Sequence, residues 1–282
     1  MLLKILTGIS AAAAAITTLT KYMAQPFYIQ IWIALLLLVA YFVGLTLAYV
    51  IILYILTELT VKLDEPQEKP SKFWLVQYNA LAEAVCTVCN LRIHVTGLEK
   101  IPTDRRFLLV CNHRSLFDPL VKVPVLKDFD LIYVSKASNF KIPIAGKMMH
   151  KSGCLAIDRE NNREALKTIN KMTELIKNDE ASVCIYPEGT RNKEELTLPF
   201  HAGSFKAAQK TGAPVVVVAL RGTDVVQKNA PFKKTDIYID VVKVIDGEFA
   251  KNNPTAATAE IAREAISAKL AETEISKETV NA

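Results

Sequence analysis

The first residues in this sequence whose side chains could take part in catalysis are a histidine and an aspartate five positions apart. His113 and Asp118 lie in the segment CNHRSLFDP, which directly follows the apolar run Phe107 to Cys111. If the chain between them turns back or begins a helix, the carboxylate can hold one imidazole nitrogen in its protonated form. The other nitrogen can then accept a proton. The spacing alone is weak, because it also arises by chance.

This pair contains no nucleophile of its own. Ser115 lies between the two residues, but no strand-turn-helix G-x-S-x-G elbow surrounds it, so we interpret it as a turn or cap residue. A general base without a protein nucleophile suits a reaction in which the substrate supplies the attacking hydroxyl. The pair therefore favours transfer of a group to an alcohol.

A second polar cluster, Pro187-Glu188-Gly189-Thr190-Arg191, follows the apolar run Val183 to Tyr186. Gly189 allows the backbone to approach a ligand closely, Thr190 offers a hydroxyl, and Arg191 offers a planar fork of donors that matches phosphate oxygens. The cluster predicts an anion pocket. The alternative is a surface loop with an ion pair between Glu188 and Arg191.

A third cluster, Asp158-Arg159, precedes the clearest helical periodicity, Glu160 to Lys177. It is either a second phosphate clamp or a helix start with Asp158 as the N-cap.

The elements that must position these residues alternate along the chain. Short apolar runs rich in β-branched residues are separated by amphipathic helical patterns. The runs are Phe107 to Cys111, Leu131 to Val134, Val183 to Tyr186, Val215 to Leu220 and Ile237 to Ile245. This pattern predicts an α/β fold with a mostly parallel sheet flanked by helices. Ligands of such sheets bind where strands end, which is where the polar clusters fall.

The N-terminal region is apolar enough to enter a membrane. The 36 residues from Tyr22 to Thr57 carry no charge, and as one helix they would be about 54 Å long, more than a bilayer core of about 30 Å. Two interpretations remain open. Residues 1–57 form a hairpin of two spans that turns near Gln25 and Pro26, or one span preceded by an interfacial segment. Either one predicts an N-terminal helical membrane anchor.

These patterns divide the chain into membrane-anchoring helices (1–63), a linker with two prolines among charges (64–72) and an α/β domain (73–282). Lysines flank the apolar runs, with more of them after residue 57. This bias places the α/β domain on the cytoplasmic side of the cell membrane. The lysines are Lys4, Lys21, Lys62, Lys69 and Lys72.

Composition excludes several classes. With 282 residues, 51% hydrophobic and 22% charged, the chain is neither disordered nor a repeat array, and its net charge of +5 suits an anionic surface or substrate. Five cysteines without a dense framework favour a reducing compartment. Cys86 and Cys89 lie in an apolar helical stretch and are interpreted as core residues, and no metal site is expected.

Taken in order, the clusters resemble the glycerolipid acyltransferases. The resemblance covers about residues 95–225 and comprises four segments: His113-x4-Asp118, Gly153 through Asp158-Arg159, Pro187 to Arg191, and Gly212-Ala213-Pro214 with its apolar strand. It implies transfer of a fatty acyl chain from a thioester donor to the sn-2 hydroxyl of 1-acyl-glycerol-3-phosphate, which gives phosphatidic acid for phospholipid synthesis.

The resemblance also implies residue roles and partners. His113 is the general base and Asp118 orients it. Residues expected to bind the acceptor's glycerol phosphate are Arg159, Glu188, Gly189, Thr190 and Arg191, with Lys136 and Lys206 as further contributors. The expected partners are lysophosphatidic acid, membrane lipids and an acyl thioester, either acyl-CoA or acyl-acyl carrier protein. Neither a cofactor nor a nucleic acid is expected.

Two other functions fit the same residues in part. A thioesterase would use the same dyad with water as the acceptor, whereas an acyltransferase could also act on another lysophospholipid or on glycerol 3-phosphate. A non-enzymatic membrane scaffold would explain the apolar N-terminus but not two polar clusters at adjacent strand ends.

Overall fold

A computed structural model describes residues 1–63, 70–158, 161–192 and 197–280. Within these residues the helices, in chain order, are α1 Leu2–Lys21, α2 Phe27–Thr60, α3 Lys72–Val88, α4 Phe117–Lys122, α5 Ala145–Lys151, α6 Asn162–Lys177, α7 Lys206–Thr211, α8 Val226–Asn229, α9 Gly247–Asn252 and α10 Thr255–Val280. The strands are β1 Leu91–Thr96, β2 Leu108–Cys111, β3 Leu131–Lys136, β4 Leu155–Ile157, β5 Ser182–Ile185, β6 Val215–Arg221 and β7 Thr235–Ile245.

The strands form one mixed sheet in the order β1-β7-β6-β2-β5-β3-β4. Five neighbouring strands, β6, β2, β5, β3 and β4, run parallel to one another, while β7 is antiparallel to β6 and β1 is parallel to β7. All five parallel strands therefore end at the same side of the sheet, which we call the carboxyl edge. The first residues of β1 and β7 lie at this edge as well.

Both faces of the sheet are covered, which explains why its strands are apolar throughout rather than alternating. Along β2, Leu109 and Cys111 face a cluster that includes residues of α3, α4 and α5. Leu108 and Val110 face the other cluster, with residues of α6, α7 and α10. The α/β architecture with a mostly parallel sheet and flanking helices is confirmed.

The two N-terminal helices form a hairpin that turns within residues 22–26, as the first of the two interpretations predicted. The Thr17 and Tyr41 hydroxyls are 3.0 Å apart across it. Both helices are long and apolar enough to cross a membrane. They indicate that the protein is membrane-associated.

One face of the C-terminal part of α2 packs against the α/β domain, while its other face stays exposed. Near its end, Leu53 and Thr57 are buried, the Tyr49 hydroxyl donates to Gln77 Oε1 of α3 at 2.7 Å, and Glu58 pairs with Lys147 of α5 at 2.7 Å. The helix before Tyr49 is about 33 Å long at 1.5 Å per residue, close to the thickness of a bilayer core. The last turns of α2 therefore attach the hairpin to the α/β domain.

The five predicted strands are all present, with ends shifted by at most two residues. β1 and β4 were not predicted, because the prediction used continuous apolar runs, whereas β1 alternates apolar and polar residues and β4 has only three residues. The helix predicted over Glu160 to Lys177 begins at Asn162. The Asn161 side chain accepts from the N–H groups of the next turn at 3.0 and 3.3 Å, so the alternative of an N-cap at Asp158 is wrong. Most of the predicted linker lies outside the described residues.

Candidate active site

His113 and Asp118 meet at the carboxyl edge, immediately after β2. His113 Nδ1 lies 2.6 Å from Asp118 Oδ2, and Asp118 is fully buried while the His113 side chain is 13% exposed. Since the carboxylate engages Nδ1, Nε2 is the nitrogen left to exchange a proton with a substrate. The arrangement is that of a general base held in one tautomer by a buried carboxylate.

The short segment between the two residues folds around the Asp118 carboxylate. Oδ2 accepts from the backbone N–H of Arg114 at 2.7 Å and of Ser115 at 2.9 Å. Oδ1 accepts from the Thr223 hydroxyl at 2.5 Å. These donors offset the cost of burying a carboxylate and fix its direction. Thr223 follows β6, so a neighbouring strand also takes part in orienting the dyad.

The His113 backbone is held from both sides by the second polar cluster. Its N–H donates to Glu188 Oε1 at 2.6 Å, and its C=O accepts from the Asn192 N–H at 2.7 Å. The other Glu188 oxygen accepts from the Leu198 N–H at 3.0 Å. Both carboxylate oxygens therefore bind backbone amides, and the alternative of an exposed loop with a Glu188–Arg191 ion pair is wrong.

Glu188 thus connects the loop after β5 to the loop after β2. Burial raises the pKa of its carboxyl above the ordinary value, and the two backbone N–H donors oppose that rise. The residue is 3% exposed and does not line the cavity beside His113. Glu188 therefore holds the loop that carries His113 in place and does not face the cavity.

The His113 ring rests on Tyr186, whose ring centroid is 4.3 Å away at an interplanar angle of 28°. The fully buried Lys122, one turn after Asp118, places its ammonium 4.1 Å from the same tyrosine centroid and 3.3 Å from Cys184 Sγ. A cation over an aromatic face is stabilised by the ring quadrupole. Tyr186 therefore supports the imidazole and also accommodates a buried charge.

An open cavity of about 750 Å³ lies beside the imidazole. Its lining includes four of the predicted binding residues, the acidic Asp158 and several apolar side chains. The predicted residues that line it with His113 are Lys136, Gly189, Thr190 and Arg191, and the apolar ones include Leu81, Leu116, Leu120, Ile142, Met149 and Ile157. The cavity thus combines a general base, cationic groups and a lipid-compatible surface.

Gly189 is required by this geometry. Its φ is +71°, and a Cβ added there would lie 2.8 Å from the His201 imidazole. Any side chain would be strained in this left-handed conformation and would also collide with the ring. The backbone can therefore turn tightly next to the ligand space.

One predicted binding residue, Lys206, lies elsewhere. Lys206 lines a neighbouring cavity of about 570 Å³, together with His201, and not the cavity beside His113. Gly189 lines both cavities and stands between them. Arg159 lies outside the described residues.

Several residues that build the site were not anticipated from the sequence. Thr223 and Lys122 stand in unremarkable segments, and the buried Asn112 side chain exchanges hydrogen bonds with the backbone of Leu220 in β6 at 2.8 and 2.9 Å. Their contacts join residues up to about a hundred positions apart in sequence. The one local signal was Asn112, a polar residue at the end of an apolar strand.

The cysteines near the site are not nucleophiles. Burial raises the pKa of Cys111 to about 12, so the thiol stays neutral at physiological pH. Cys86, Cys154 and Cys184 are likewise buried, as predicted for Cys86, whereas Cys89, also predicted as a core residue, is only partly buried. In the part of the chain that the structure describes, no group of three or more His, Cys, Asp or Glu residues is placed to hold a metal ion.

A family model described as Acyltransferase matches residues 92–221, which include both polar loops and the dyad. The 1-acyl-sn-glycerol-3-phosphate acyltransferase of Borreliella burgdorferi is 30% identical over 175 residues, covering 60% of this chain and 69% of that protein. The chloroplastic 1-acyl-sn-glycerol-3-phosphate acyltransferase LPAT1 of Arabidopsis thaliana is 31% identical over 181 residues, which are 64% of this chain and 49% of the plant protein.

The 1-acyl-sn-glycerol-3-phosphate acyltransferase of Haemophilus influenzae is 32% identical over 44% of this chain and 53% of its own length. The chain thus spans about half the length of these last two relatives. Among solved structures, the 1-acyl-sn-glycerophosphate acyltransferase PlsC of Thermotoga maritima shares the fold, with a TM-score of 0.58 and 22% identity over 71% of this chain and 79% of that one.

Replacing Thr223 tests the support of the dyad. Thr223→Val removes the hydroxyl that donates to Asp118 Oδ1 and leaves a buried carboxylate oxygen without its partner. A hydrogen bond to a charged group contributes about 1.5–3 kcal/mol, so we expect kcat to fall about ten- to a hundredfold with little change in the acceptor KM. Thr223→Ser keeps the hydroxyl and should retain most activity. Equal activity in the valine and wild-type proteins would show that this contact does not support the dyad.

Replacing Glu188 tests its role as a connector. In Glu188→Gln the amide nitrogen cannot accept from a backbone N–H, so one of the two loops is released, and we expect kcat to decrease. The folded-state pKa of Glu188 is raised, so the folded protein binds this proton more tightly than the unfolded chain does. Wild-type stability should therefore fall as pH rises from about 4.5 through the raised pKa.

The glutamine variant lacks this titration. Its denaturation midpoint should depend less on pH in the same window, as followed by thermal unfolding in detergent. Glu180→Gln, at an exposed position beyond α6, is the matched control and should leave both readouts at wild-type values. An identical pH dependence in the Glu188 variant and wild type would contradict the assignment.

Proposed function

This chain belongs to the acyltransferase family that includes the 1-acyl-sn-glycerol-3-phosphate acyltransferases, and on this premise we propose that it acylates the sn-2 hydroxyl of 1-acyl-glycerol-3-phosphate. The acyl chain comes from a thioester, and the product is phosphatidic acid, a precursor in phospholipid synthesis. The observation that carries the proposal is the His113–Asp118 pair facing one cavity that also contains Arg191 and Lys136.

The reaction begins with proton transfer to His113. Nε2 accepts the proton of the sn-2 hydroxyl as its oxygen attacks the thioester carbonyl, and Asp118 stabilises the imidazolium that forms. Collapse of the tetrahedral intermediate forms the ester C–O bond and breaks the C–S bond. The departing thiolate takes the proton from the imidazolium. The cycle thus returns His113 to its neutral form, and it requires no acyl-enzyme.

The cationic side chains that line the cavity bind the acceptor's phosphate. The Arg191 guanidinium offers paired donors that match two phosphate oxygens, and Lys136, at the end of β3, adds a second positive charge. Thr190 contributes a hydroxyl, and Gly189 lets the backbone approach. Arg159 and Lys206 belong to the same proposed phosphate site, Lys206 from its neighbouring cavity.

The apolar part of the cavity lining suits acyl chains. Leu81 of α3, Leu120 of α4, and Ile142 and Met149 near α5 line the same cavity as the cationic residues. A lysolipid can therefore place its headgroup against Arg191 and its hydrocarbon against these side chains. The donor's acyl chain needs the same kind of surface, and its carrier is coenzyme A or acyl carrier protein.

Two related activities use the same residues. A thioesterase would deliver water to the thioester, but a cavity with cationic groups beside the base favours a phosphorylated acceptor. Other lysophospholipids and glycerol 3-phosphate also carry a phosphate. An acceptor panel with one radiolabelled thioester distinguishes them, since acceptor-independent acyl release would favour hydrolysis.

The location follows from the same premise. The substrate is a membrane lipid, and α1 and α2 anchor the chain. The lysines around the apolar segments favour the cytoplasmic face of the cell membrane for the α/β domain.

Removal of the imidazole tests the base. We expect His113→Ala to lower kcat by about a hundredfold or more, because general-base catalysis contributes factors of about 10² to 10⁴. Turnover is measured with purified protein, acyl thioester and lysophosphatidic acid. His150→Ala, which changes a histidine that does not line the cavity, serves as the control. A folded His113→Ala protein with near-normal turnover would remove His113 from the mechanism.

The guanidinium is tested with a substitution that keeps its charge. Arg191→Lys loses the bidentate fork, so we expect the apparent KM for the phosphorylated acceptor to rise, with a smaller change in the thioester KM. Arg105→Lys, at an exposed position before β2 and therefore at the opposite edge of the sheet, should change neither constant. An unchanged acceptor KM in Arg191→Lys would place the phosphate elsewhere.

A further inference from the structure

We propose that the segment from Val226 to Lys234 is a second membrane contact, in which Phe232 inserts into the interface of an anionic bilayer and neighbouring lysines bind lipid headgroups. The proposal rests on the proposed function, because a lysolipid acceptor requires the site to face a bilayer. It adds a specific lipid-binding loop, separate from the α1–α2 hairpin. We call residues 226–234 the Phe232 loop.

The Phe232 loop lies at the carboxyl edge, where the dyad is. It follows β6, which is parallel to β2. Thr223, two residues after the end of β6, donates to Asp118. The loop ends where β7 begins, and the N–H of Thr235 donates to Asn90 O between α3 and β1 at 3.1 Å. The mouth of the catalytic cavity and the loop therefore share one edge of the sheet.

The loop has a defined shape that presents Phe232 to the outside. Inside the loop, the N–H of Lys233 donates to Asn229 O at 2.8 Å, and the Asn229 amide donates to the Thr235 hydroxyl at 3.0 Å. Phe232 is 94% exposed, the most exposed of the large apolar side chains in the described part of the chain. A fixed turn that exposes a phenyl ring to water loses the free energy that burial would provide. An apolar surrounding would recover it.

Charge favours an anionic surface around this ring. Lys228, Lys233 and Lys234 are exposed, and no acidic residue occurs from 226 to 235. The nearest acidic residues in sequence have neighbours of their own, since Asp224 lies 3.8 Å from Arg114, whereas Asp236 lies 2.7 Å from His94 and 3.6 Å from Arg92 and also interacts with Lys234. A phenyl ring among lysines is the composition of interfacial membrane contacts.

Other exposed apolar side chains follow the same edge. Val225 precedes the loop and is 41% exposed. Leu116, between His113 and Asp118, is 53% exposed and lines the cavity. Val88 at the end of α3 is 58% exposed. These side chains add exposed apolar surface to the carboxyl edge, which carries both the Phe232 loop and the cavity into which a lysolipid would move.

A bilayer fits these observations better than a protein partner does. An acidic carrier protein could also bind the lysines, but it would not require an isolated, fully exposed phenyl ring at the tip of the loop. A membrane accepts an isolated aromatic group anywhere in its interface and needs no shaped pocket. The acceptor lipid also has to come from that surface.

The test uses the full chain, reconstituted into vesicles, with an environment-sensitive dye at the tip. Cys89 is the one cysteine that is not buried, so Cys89→Ser provides the background for Phe232→Cys labelled with a nitrobenzoxadiazole dye. Vesicles contain phosphatidylcholine alone or with phosphatidylglycerol. Thr103→Cys carries the same dye on an exposed loop before β2, at the opposite edge of the sheet.

We expect the dye at position 232 to show blue-shifted emission in the anionic vesicles and quenching by lipids with a shallow nitroxide, whereas the dye at position 103 shows neither. Lys233→Glu combined with Lys234→Glu should reduce the ratio of inserted to water-exposed dye by about fivefold or more for each lysine. An unshifted emission at position 232 in both vesicle types would overturn the proposal. So would a shift that appears only when acidic acyl carrier protein is added.

These outcomes do not depend on turnover. If the dye inserts but no acceptor is acylated, the proposed reaction fails and the membrane contact stands. If acylation proceeds while the dye stays in water, the reaction stands and the membrane contact is wrong.

Discussion

The site depends on one buried interaction, the hydrogen bond between the Asp118 carboxylate and His113 Nδ1. A carboxylate in a protein interior is stable only when donors surround it, and Asp118 takes them from the His113 ring, two backbone amides and Thr223. The groups that stabilise the charge are the same ones that fold the loop after β2. Catalytic geometry and local stability therefore cannot be separated here, and this explains why a six-residue segment can hold a base without a long helix behind it.

The parallel sheet brings the remaining groups to this interaction. Because β2, β3, β5 and β6 all end at the carboxyl edge, segments distant in sequence contribute the base, Lys136, the loop of Arg191 and Thr223. Glu188 then couples two of these segments through backbone amides. Glu188, which the family resemblance predicted to touch the acceptor, is instead buried against the loop after β2, where it helps to orient His113.

The membrane enters the structure at more than one level. The hairpin of α1 and α2 exceeds what the α/β domain can cover, and it contacts α3 and α5 through the last turns of α2 and the start of α1. The lining of the cavity combines cationic and apolar side chains, a combination that matches an amphipathic substrate. A water-soluble acceptor would not need the apolar side chains, and a plain acyl ester would not need the cationic ones.

The sequence by itself determined the element types, the five central strands, the helical N-terminus and the identity of the two polar loops, because hydrophobic period and turn residues are local properties. Strands β1 and β4 were missed, because β1 alternates apolar and polar residues where the other strands are continuous apolar runs, and β4 has only three residues. Nor could the sequence show that Arg191 lines the cavity beside His113 while Glu188, in the same motif, does not. It also could not show that Lys136 and Lys206, which carry the same charge, line different cavities. Only the tertiary structure decided that Thr223, Asn112 and Lys122 belong to the site, because their contacts form when strands far apart in sequence become neighbours.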